Sequence, residues 1–424
     1  MEEMQIDIKE GIKLHIVPNE IYKTNLIRIV FTTKLNKENV TKTALLPLVL
    51  KQGSKNYPTQ EIINIRLEEL YGAEFNANID KKGDLQVVTF EADCIKDRFV
   101  PNHENITQEV FDLIFDIVLN PYIENGTFKQ IYLDSEKEQL RKMINELIDN
   151  KDDYSFNRCI HEMYGNNGYG LYQLGIESDI DTIKCNELFE FYQKYINDAK
   201  IDIFISGEVD VEQIKNYVIE KMKDVKERKF DTPNEVSTID AKKVDKPQEV
   251  LESLDIVQGK LVLGCQIESN IEKQKYVGMV YNALLGASAS SFLFQNVREK
   301  ESLAYYAMSR FIDVKSALFI RSGIEIKNYN KALKIIIEQL DLIANGDFTK
   351  DNLDDAIITI NSFWNGVKEN QELALDYCYT QELYEQKESI DSLIKKVESV
   401  SREEIIELAK SVKINTIYFL KDNG

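Results

Sequence analysis

Two rhythms of apolar and polar residues alternate along this chain. Short β-branched runs at residues 12–17 (IKLHIV) and 25–33 (NLIRIVFTT) read as strands. From Thr41 to Gly53 the spacing becomes helical, with Ala44, Leu45, Leu46, Leu48, Val49 and Leu50 apolar and Gly53 as a stop. Pro47 lies inside that pattern, so the helix is expected to kink there or to start late. A second helix from Thr59 sets Ile63, Leu67 and Leu70 on one face and ends at Gly72. Residues 72–78 and 85–90 then read as paired strands that turn at Lys82-Gly83-Asp84. An apolar helix over 110–119 is closed by Asn120-Pro121. A long helix follows from Phe128, with Leu140, Ile144 and Leu147 as its inner stripe. Another helix surrounds His161. A glycine-rich loop at 165–175 leads to more helix through Tyr195, and residues 201–205 form a strand closed by Ser206-Gly207.

Residues 225–258 are charged, hold Pro233 and Pro247, and have little apolar periodicity, which is the composition of a linker. Beyond them the order recurs: strand 260–267, helix 273–285, strand 317–326, helix 328–344, long helices 350–368 and 370–386, helix 400–412 and strand 416–420. The repetition implies a duplicated α+β architecture, with one domain over 1–224 and its counterpart over 259–424.

Composition narrows the function classes. Hydrophobic residues make up 43% and charged residues 29% of the 424, as in ordinary globular proteins. Lys+Arg 52 against Asp+Glu 72 leaves a net charge of −20, which disfavours nucleic acid as a partner. The first residues show no basic and apolar signal segment, and no apolar run reaches membrane-spanning length, so a cytoplasmic location is expected. Cys94, Cys159, Cys185, Cys265 and Cys378 are widely spaced and odd in number, which reads as buried thiols rather than a disulfide framework or a zinc site.

The most informative stretch is Gly286–Tyr306, GASASSFLFQNVREKESLAYY. Small residues open it, a short amphipathic helix follows, and a charged run leads into an aromatic strand. Arg298 and Tyr305 stand seven apart across that turn, where a guanidinium and a phenol can hold a peptide carbonyl. Read from the residues alone, the favoured reading is that Arg298 is a solvated helix-end charge and Tyr305 a core residue.

Ser290-Ser291-Phe292-Leu293-Phe294, Arg298-Glu299-Lys300 and Leu303-Ala304-Tyr305 together resemble the second-half signature of insulinase/pitrilysin-family peptidases, which include mitochondrial processing peptidase. Smaller pieces fit in order along the chain, among them Gln52-Gly53-Ser54, Leu119-Asn120-Pro121, Glu136-Lys137-Glu138 and Ser206-Gly207-Glu208-Val209-Asp210. The resemblance implies two homologous α/β-roll domains, each a sheet with helices on one side, facing each other. It implies that Arg298 and Tyr305 position the substrate backbone, and that substrate pairs as an added strand beside Asn76 and Ala77.

The same resemblance puts the family's zinc motif, H-x-x-E-H, on Ala44-Leu45-Leu46-Pro47-Leu48. Ala44 and Leu48 replace the two histidines and Pro47 replaces the glutamate, so these positions neither bind zinc nor activate water. Glu146 is the candidate for the third ligand position. The only histidines are His15, His103 and His161. His161-Glu162 begins an H-E-x-x-H-like string, but Gly165 stands where its second histidine belongs.

No metal or cofactor is therefore expected on this chain, and no peptidase activity from it alone. The resemblance, strongest to zinc-less bacterial members associated with elongation factor P modification, implies a non-catalytic subunit of a two-chain zinc metallopeptidase. Its partner, in a heterodimer, is an HxxEH-bearing chain of the same family that carries the zinc, and its substrate is a peptide or unfolded polypeptide. The competing reading is a peptidase-like pseudoenzyme that binds peptides or serves as a scaffold.

Overall fold

The computed structural model describes residues 3–101, 104–166, 168–230, 241–269, 271 and 273–423. In chain order the elements begin with β1 (Met4–Lys9), β2 (Ile12–Pro18), β3 (Thr24–Lys34), α1 (Val40–Leu50), α2 (Gln60–Glu69), β4 (Glu74–Lys82), β5 (Leu85–Ile95) and α3 (Ile106–Leu119). A short hairpin, β6 (Ile123–Glu124) and β7 (Thr127–Phe128), precedes α4 (Gln130–Asp149), α5 (Lys151–Tyr164), α6 (Glu177–Ile180), α7 (Cys185–Asp198), β8 (Lys200–Gly207) and α8 (Val211–Lys221). The rest comprises β9 (Gln248–Ser253), β10 (Gly259–Ile267), α9 (Gln274–Leu285), a π-helix (Leu293–Lys300), β11 (Ala304–Ile312), β12 (Ala317–Ile324), α10 (Tyr329–Asn345), α11 (Lys350–Glu369), α12 (Gln371–Leu383), α13 (Ile390–Glu398), α14 (Arg402–Ser411) and β13 (Val412–Lys421).

The chain forms two compact units. Unit 1 is Met1–Glu146, Leu171–Thr232 and Gln371–Leu383; unit 2 is Leu147–Gly170, Pro233–Asn370 and Tyr384–Gly424. Composition suggests a single cut within 225–258. The chain instead exchanges helices: α5 belongs to unit 2 and α12 to unit 1. Part of the stretch read as linker is structured, since β9 is a strand and Arg228 is buried, donating to the carbonyls of Asn197 and Ile196. Residues 231–240 of that stretch lie outside the described residues.

The duplicated α+β plan holds at the level of strand order. Unit 1 has a six-stranded sheet, β1-β2-β8-β3-β5-β4, and unit 2 a five-stranded one, β11-β12-β10-β13-β9. Read outward from β3 and β10, the two match: β3 pairs antiparallel with β5 and β8, β10 with β12 and β13, and the next strands, β2 and β9, are parallel to their neighbours. Strand β1, which the periodicity does not reveal, is the one addition. Strands β4 and β11 are therefore equivalent, and each ends its sheet.

Central strands are buried on both faces, and the exchange explains why. In β10, Leu261, Leu263 and Cys265 are buried on one side. On the other, Val262 joins Phe156, Cys159, Ile160 and Met163 of α5 in one apolar cluster. In β8, Ile201, Ile203 and Ile205 enter the main core of unit 1 with Phe31, Phe90 and α1. The opposite side meets α12: Gln371 donates to the Ser206 carbonyl at 2.8 Å, and the Tyr379 ring lies 6.1 Å from Phe204.

Candidate functional site

The stretch 286–306 is built to display side chains. Leu293 and Val297, four apart, are fully buried and seat the π-helix, while Asn296 donates its side chain to Gln339 of α10 at 2.6 Å. The wider helical turn is closed by Glu301 N–H bonding the Asn296 carbonyl, followed by Leu303 N–H to Val297 at 3.1 Å. Ser302 takes the left-handed conformation at φ +51°, which costs energy for a residue with a Cβ and is held by these bonds. Such π-helical turns concentrate at functional sites. Arg298 stands on the π-helix with its side chain 43% exposed, 3.6 Å from Glu299 and over the Phe294 ring at 4.5 Å.

Tyr305 sits on a β-bulge. Ala304 pairs with Ile324 and Tyr306 with Gly323, so Tyr305 is the extra residue. Downstream, Ala307 and Ser309 point into the covered side, where Ser309 bonds Asn282 of α9. Regular alternation would send Tyr305 the same way. The extra residue releases it, and it is 65% exposed. Arg298 and Tyr305 thus occupy one continuous segment of unit 2, and neither is a core residue.

Asn76 and Ala77 lie on β4, the strand of unit 1 equivalent to β11. They pair with Glu91 and Phe90 of β5, and the outer edge of β4 is unpaired among the described residues. Ala77 and Ile79 face the core, whereas Asn76, Asn78 and Asp80 are exposed. Beyond Asn78 and Asp80 a groove of about 320 Å³ runs between the sheet and α12, lined in part by Arg28, Glu91, Glu372 and Tyr379.

The positions of the zinc motif are sealed. Every residue of α1 except Lys42 is buried, including Ala44, Pro47 and Leu48. Pro47 is accommodated within the helix, which runs on to Leu50. Glu146 is on the surface of α4, 3.9 Å from Lys142, with its side chain 62% exposed. The carboxylate that reaches the end of α1 is Glu136, which accepts from Gln52 at 2.7 Å. Burial pushes its pKa up, against the pull of hydrogen bonds from Ser135 and Gln52 and the charge of Lys51, and burial pushes Lys51 down. The buried residues of α4 are Leu133, Glu136, Leu140 and Ile144. The aliphatic side chains of Ala44 and Leu48 offer no zinc donor atoms. Among the described residues no three His, Cys, Asp or Glu side chains are grouped to hold a metal ion.

His15 and His161 serve elsewhere. His161 bonds the Gly170 carbonyl at 3.1 Å, and Glu162 pairs with Arg158. His15 is fully buried between Glu3 at 2.6 Å and Asp202 at 3.1 Å, and it stacks on Phe204. His103 lies outside the described residues. All five cysteines are buried and free, and no described helix is long and apolar enough to cross a membrane.

A duplicated α+β fold with an aliphatic, closed metal position in one copy and an exposed Arg/Tyr segment in the other defines an inactive homologue of a zinc peptidase. Comparison with known proteins agrees. Residues 182–360 match the family described as the peptidase M16 inactive domain. Over 97% of this chain and 96% of the relative, 34% of residues are identical to "Probable inactive metalloprotease YmfF" of Bacillus subtilis strain 168. A crystal structure of a conserved protein from Enterococcus faecalis V583 superposes with a TM-score of 0.91 at 26% identity, covering 99% of both chains. A peptidase M16 inactive domain from Pseudomonas fluorescens, at 15% identity and TM-score 0.80 over 100% of this chain and 99% of its own, has the same fold. The chain belongs to the peptidase M16 family, the insulinase/pitrilysin group.

Proposed function

We propose that this chain is the substrate-positioning subunit of a two-chain zinc metallopeptidase, supplying Arg298 and Tyr305 opposite a YmfH-like partner that bears HxxEH and the zinc. The observation that carries this reading is the asymmetry of the two copies. The metal positions Ala44, Pro47 and Leu48 are filled with packed aliphatic groups, while Arg298 and Tyr305 are retained and exposed. A protein retired from all peptide chemistry has no reason to keep a bulge that displays a phenol. Chemistry on one chain and positioning on the other require only that both reach the same peptide. The unpaired edge of β4 at Asn76 and Ala77 offers backbone groups to an extended peptide of any sequence. We place the pair in the cytoplasm.

The test is reconstitution with an HxxEH-bearing family chain, followed by peptidase assays of each chain and of the pair. Activity is expected from the pair alone, and metal analysis is expected to find zinc in the partner and none at stoichiometric level in this chain. About one tightly bound zinc per copy of this chain would sink the assignment. The second reading, a peptide-binding scaffold without proteolysis, is favoured by the open strand edges alone. Peptide binding with no turnover by any reconstituted pair would select it.

A further inference from the structure

Tyr305 is displayed because its neighbour is not. The residue facing the bulge on β12 is Gly323, and it pairs with Tyr306. A Cβ at Gly323 would lie 2.5 Å from the Tyr306 ring, so the glycine is the floor on which that ring rests. The Tyr306 phenol donates to Asp152 on the first turn of α5. Arg321 of β12 donates to the same carboxylate, reaches Asp153 at 2.8 Å, and lies over the Phe156 ring at 4.8 Å. The Lys260 ammonium stands 5.2 Å from the Tyr306 ring. All of these groups belong to unit 2.

A bulge is a single extra residue, and moving it by one position re-pairs the strand and exchanges which side chains are presented. Such a slip here would pair Tyr305 with Gly323 and leave Tyr306 as the extra residue. Both carry the same ring and the same phenol, so they compete for one seat.

We infer that Asp152, itself held by Arg321, is a positioning residue that keeps Tyr306 over Gly323 and thereby keeps Tyr305 exposed to substrate. Its consequence for catalysis rests on the role proposed for Tyr305 above, whereas the competition between the two rings does not. Asp152 touches no reacting atom in this scheme. It acts only through the register of β11.

Site-resolved tyrosine nitration of the full chain tests this without a partner or a substrate. Tryptic cleavage releases residues 301–310 with both tyrosines, and fragment ions separate them. In the wild type, modification is expected at Tyr305 and not at Tyr306. Asp152→Ala and Tyr306→Phe should each cut Tyr305 nitration several-fold while thermal unfolding shows a folded chain. Asp152→Asn, which keeps an acceptor for the phenol, should preserve the wild-type ratio. Tyr306→Phe removes only a hydroxyl, so it decides the matter if Asp152→Ala does not fold. Tyr305 nitrated as fast as in the wild type in Tyr306→Phe overturns the inference, whether or not the ring at position 306 opens. In the reconstituted pair, Asp152→Ala should lower kcat. A pair without any turnover defeats the proposed function but leaves the nitration result standing.

Discussion

Helix α1 of unit 1 and the segment 293–306 of unit 2 are the two places to which the family resemblance assigns chemistry, and they have gone opposite ways. In α1 the positions that the resemblance gives to the ligands are core: Ala44 is fully buried and Leu48 is 9% exposed. In unit 2 a π-helix, a left-handed Ser302 and a bulge shape the segment, and the left-handed Ser302 costs stability that regular structure would not. A position to which the resemblance assigns chemistry is closed by packing in one unit, while the segment in the other is held exposed by a bulge and a strained turn. The equivalent edge strands sharpen the point. Strand β4 pairs regularly along its length, whereas β11 breaks its register at Tyr305.

The largest effect expected from this asymmetry is on activity. Arg298→Ala or Tyr305→Phe should leave folding and pairing intact and slow the reconstituted complex about 100- to 1000-fold, roughly 2.7–4 kcal/mol, by analogy with loss of an oxyanion-hole donor. Steady-state rates of the pair, with thermal unfolding as the control, measure it. If both variants keep full rate, the exposed side chains are ordinary surface groups, for which effects stay within about 0.5 kcal/mol.

Stability should show the reverse ranking. Leu48→Ala removes buried methyl groups beside Leu45, Leu46 and the core of unit 1, and is expected to cost about 2–3 kcal/mol, the lower part of the usual Leu→Ala range because the site is at the core's margin. Tyr305→Ala, at an exposed position, should cost under about 0.5 kcal/mol. Urea unfolding compares them directly. Equal costs would mean that α1 is less closed than its burial indicates, or that Tyr305 supports the fold.

Much of this arrangement is legible in the chain, and the failures share a cause. Helices α1, α3 and α4 and the strands of the sheet centres follow local periodicity, and the segment 286–306 declares itself by composition. Strand β9 does not, because its alternation of Glu249, Leu251 and Ser253 with Gln248, Val250 and Glu252 gains meaning only from pairing with β13, far along the chain. The exchange of α5 and α12 is invisible for the same reason: an apolar face shows that a helix is covered, not by which sheet. In strand β8 even the polar Lys200, Asp202 and Ser206 are buried, which local periodicity does not announce. Glu136 is legible in another way, since it is the one carboxylate that interrupts the buried stripe of α4.

A weaker effect is expected at the edge of β4. If Asn76 and Ala77 accept an added strand, amide exchange over residues 74–90 should slow when an unstructured peptide is supplied to the chain. The protection should be modest, because backbone pairing at one sheet edge is the only contact invoked. Protection elsewhere with none in 74–90 would move the peptide site away from β4 and leave β11, with its bulge, as the edge that works.

The smallest effect concerns the buried polar layer that α12 brings to unit 1. Lys200 pairs with Asp202 at 2.7 Å and with Glu382 of α12 at 3.0 Å, and Glu382 also holds Lys13 at 2.8 Å. His15 completes this layer beside Asp202 and Glu3. Burial disfavours its charge, but the hydrogen bonds and charges of Asp202 and Glu3 outweigh that, and its pKa is raised above the ordinary 6.5. A raised folded-state pKa means that protonated His15 contributes its full stabilisation below about pH 6.5 and loses it as pH rises through the higher folded value. Asp202, whose pKa is lowered against the cost of burial by His15 and Lys200, contributes in the opposite sense, above the unfolded carboxylate value of 3.8. The melting temperature should therefore decline gently from mildly acidic toward alkaline pH, and His15→Gln should flatten that decline while lowering stability at pH 6 more than at pH 8. A decline of the same slope in the variant would show that the histidine is held neutral by its burial.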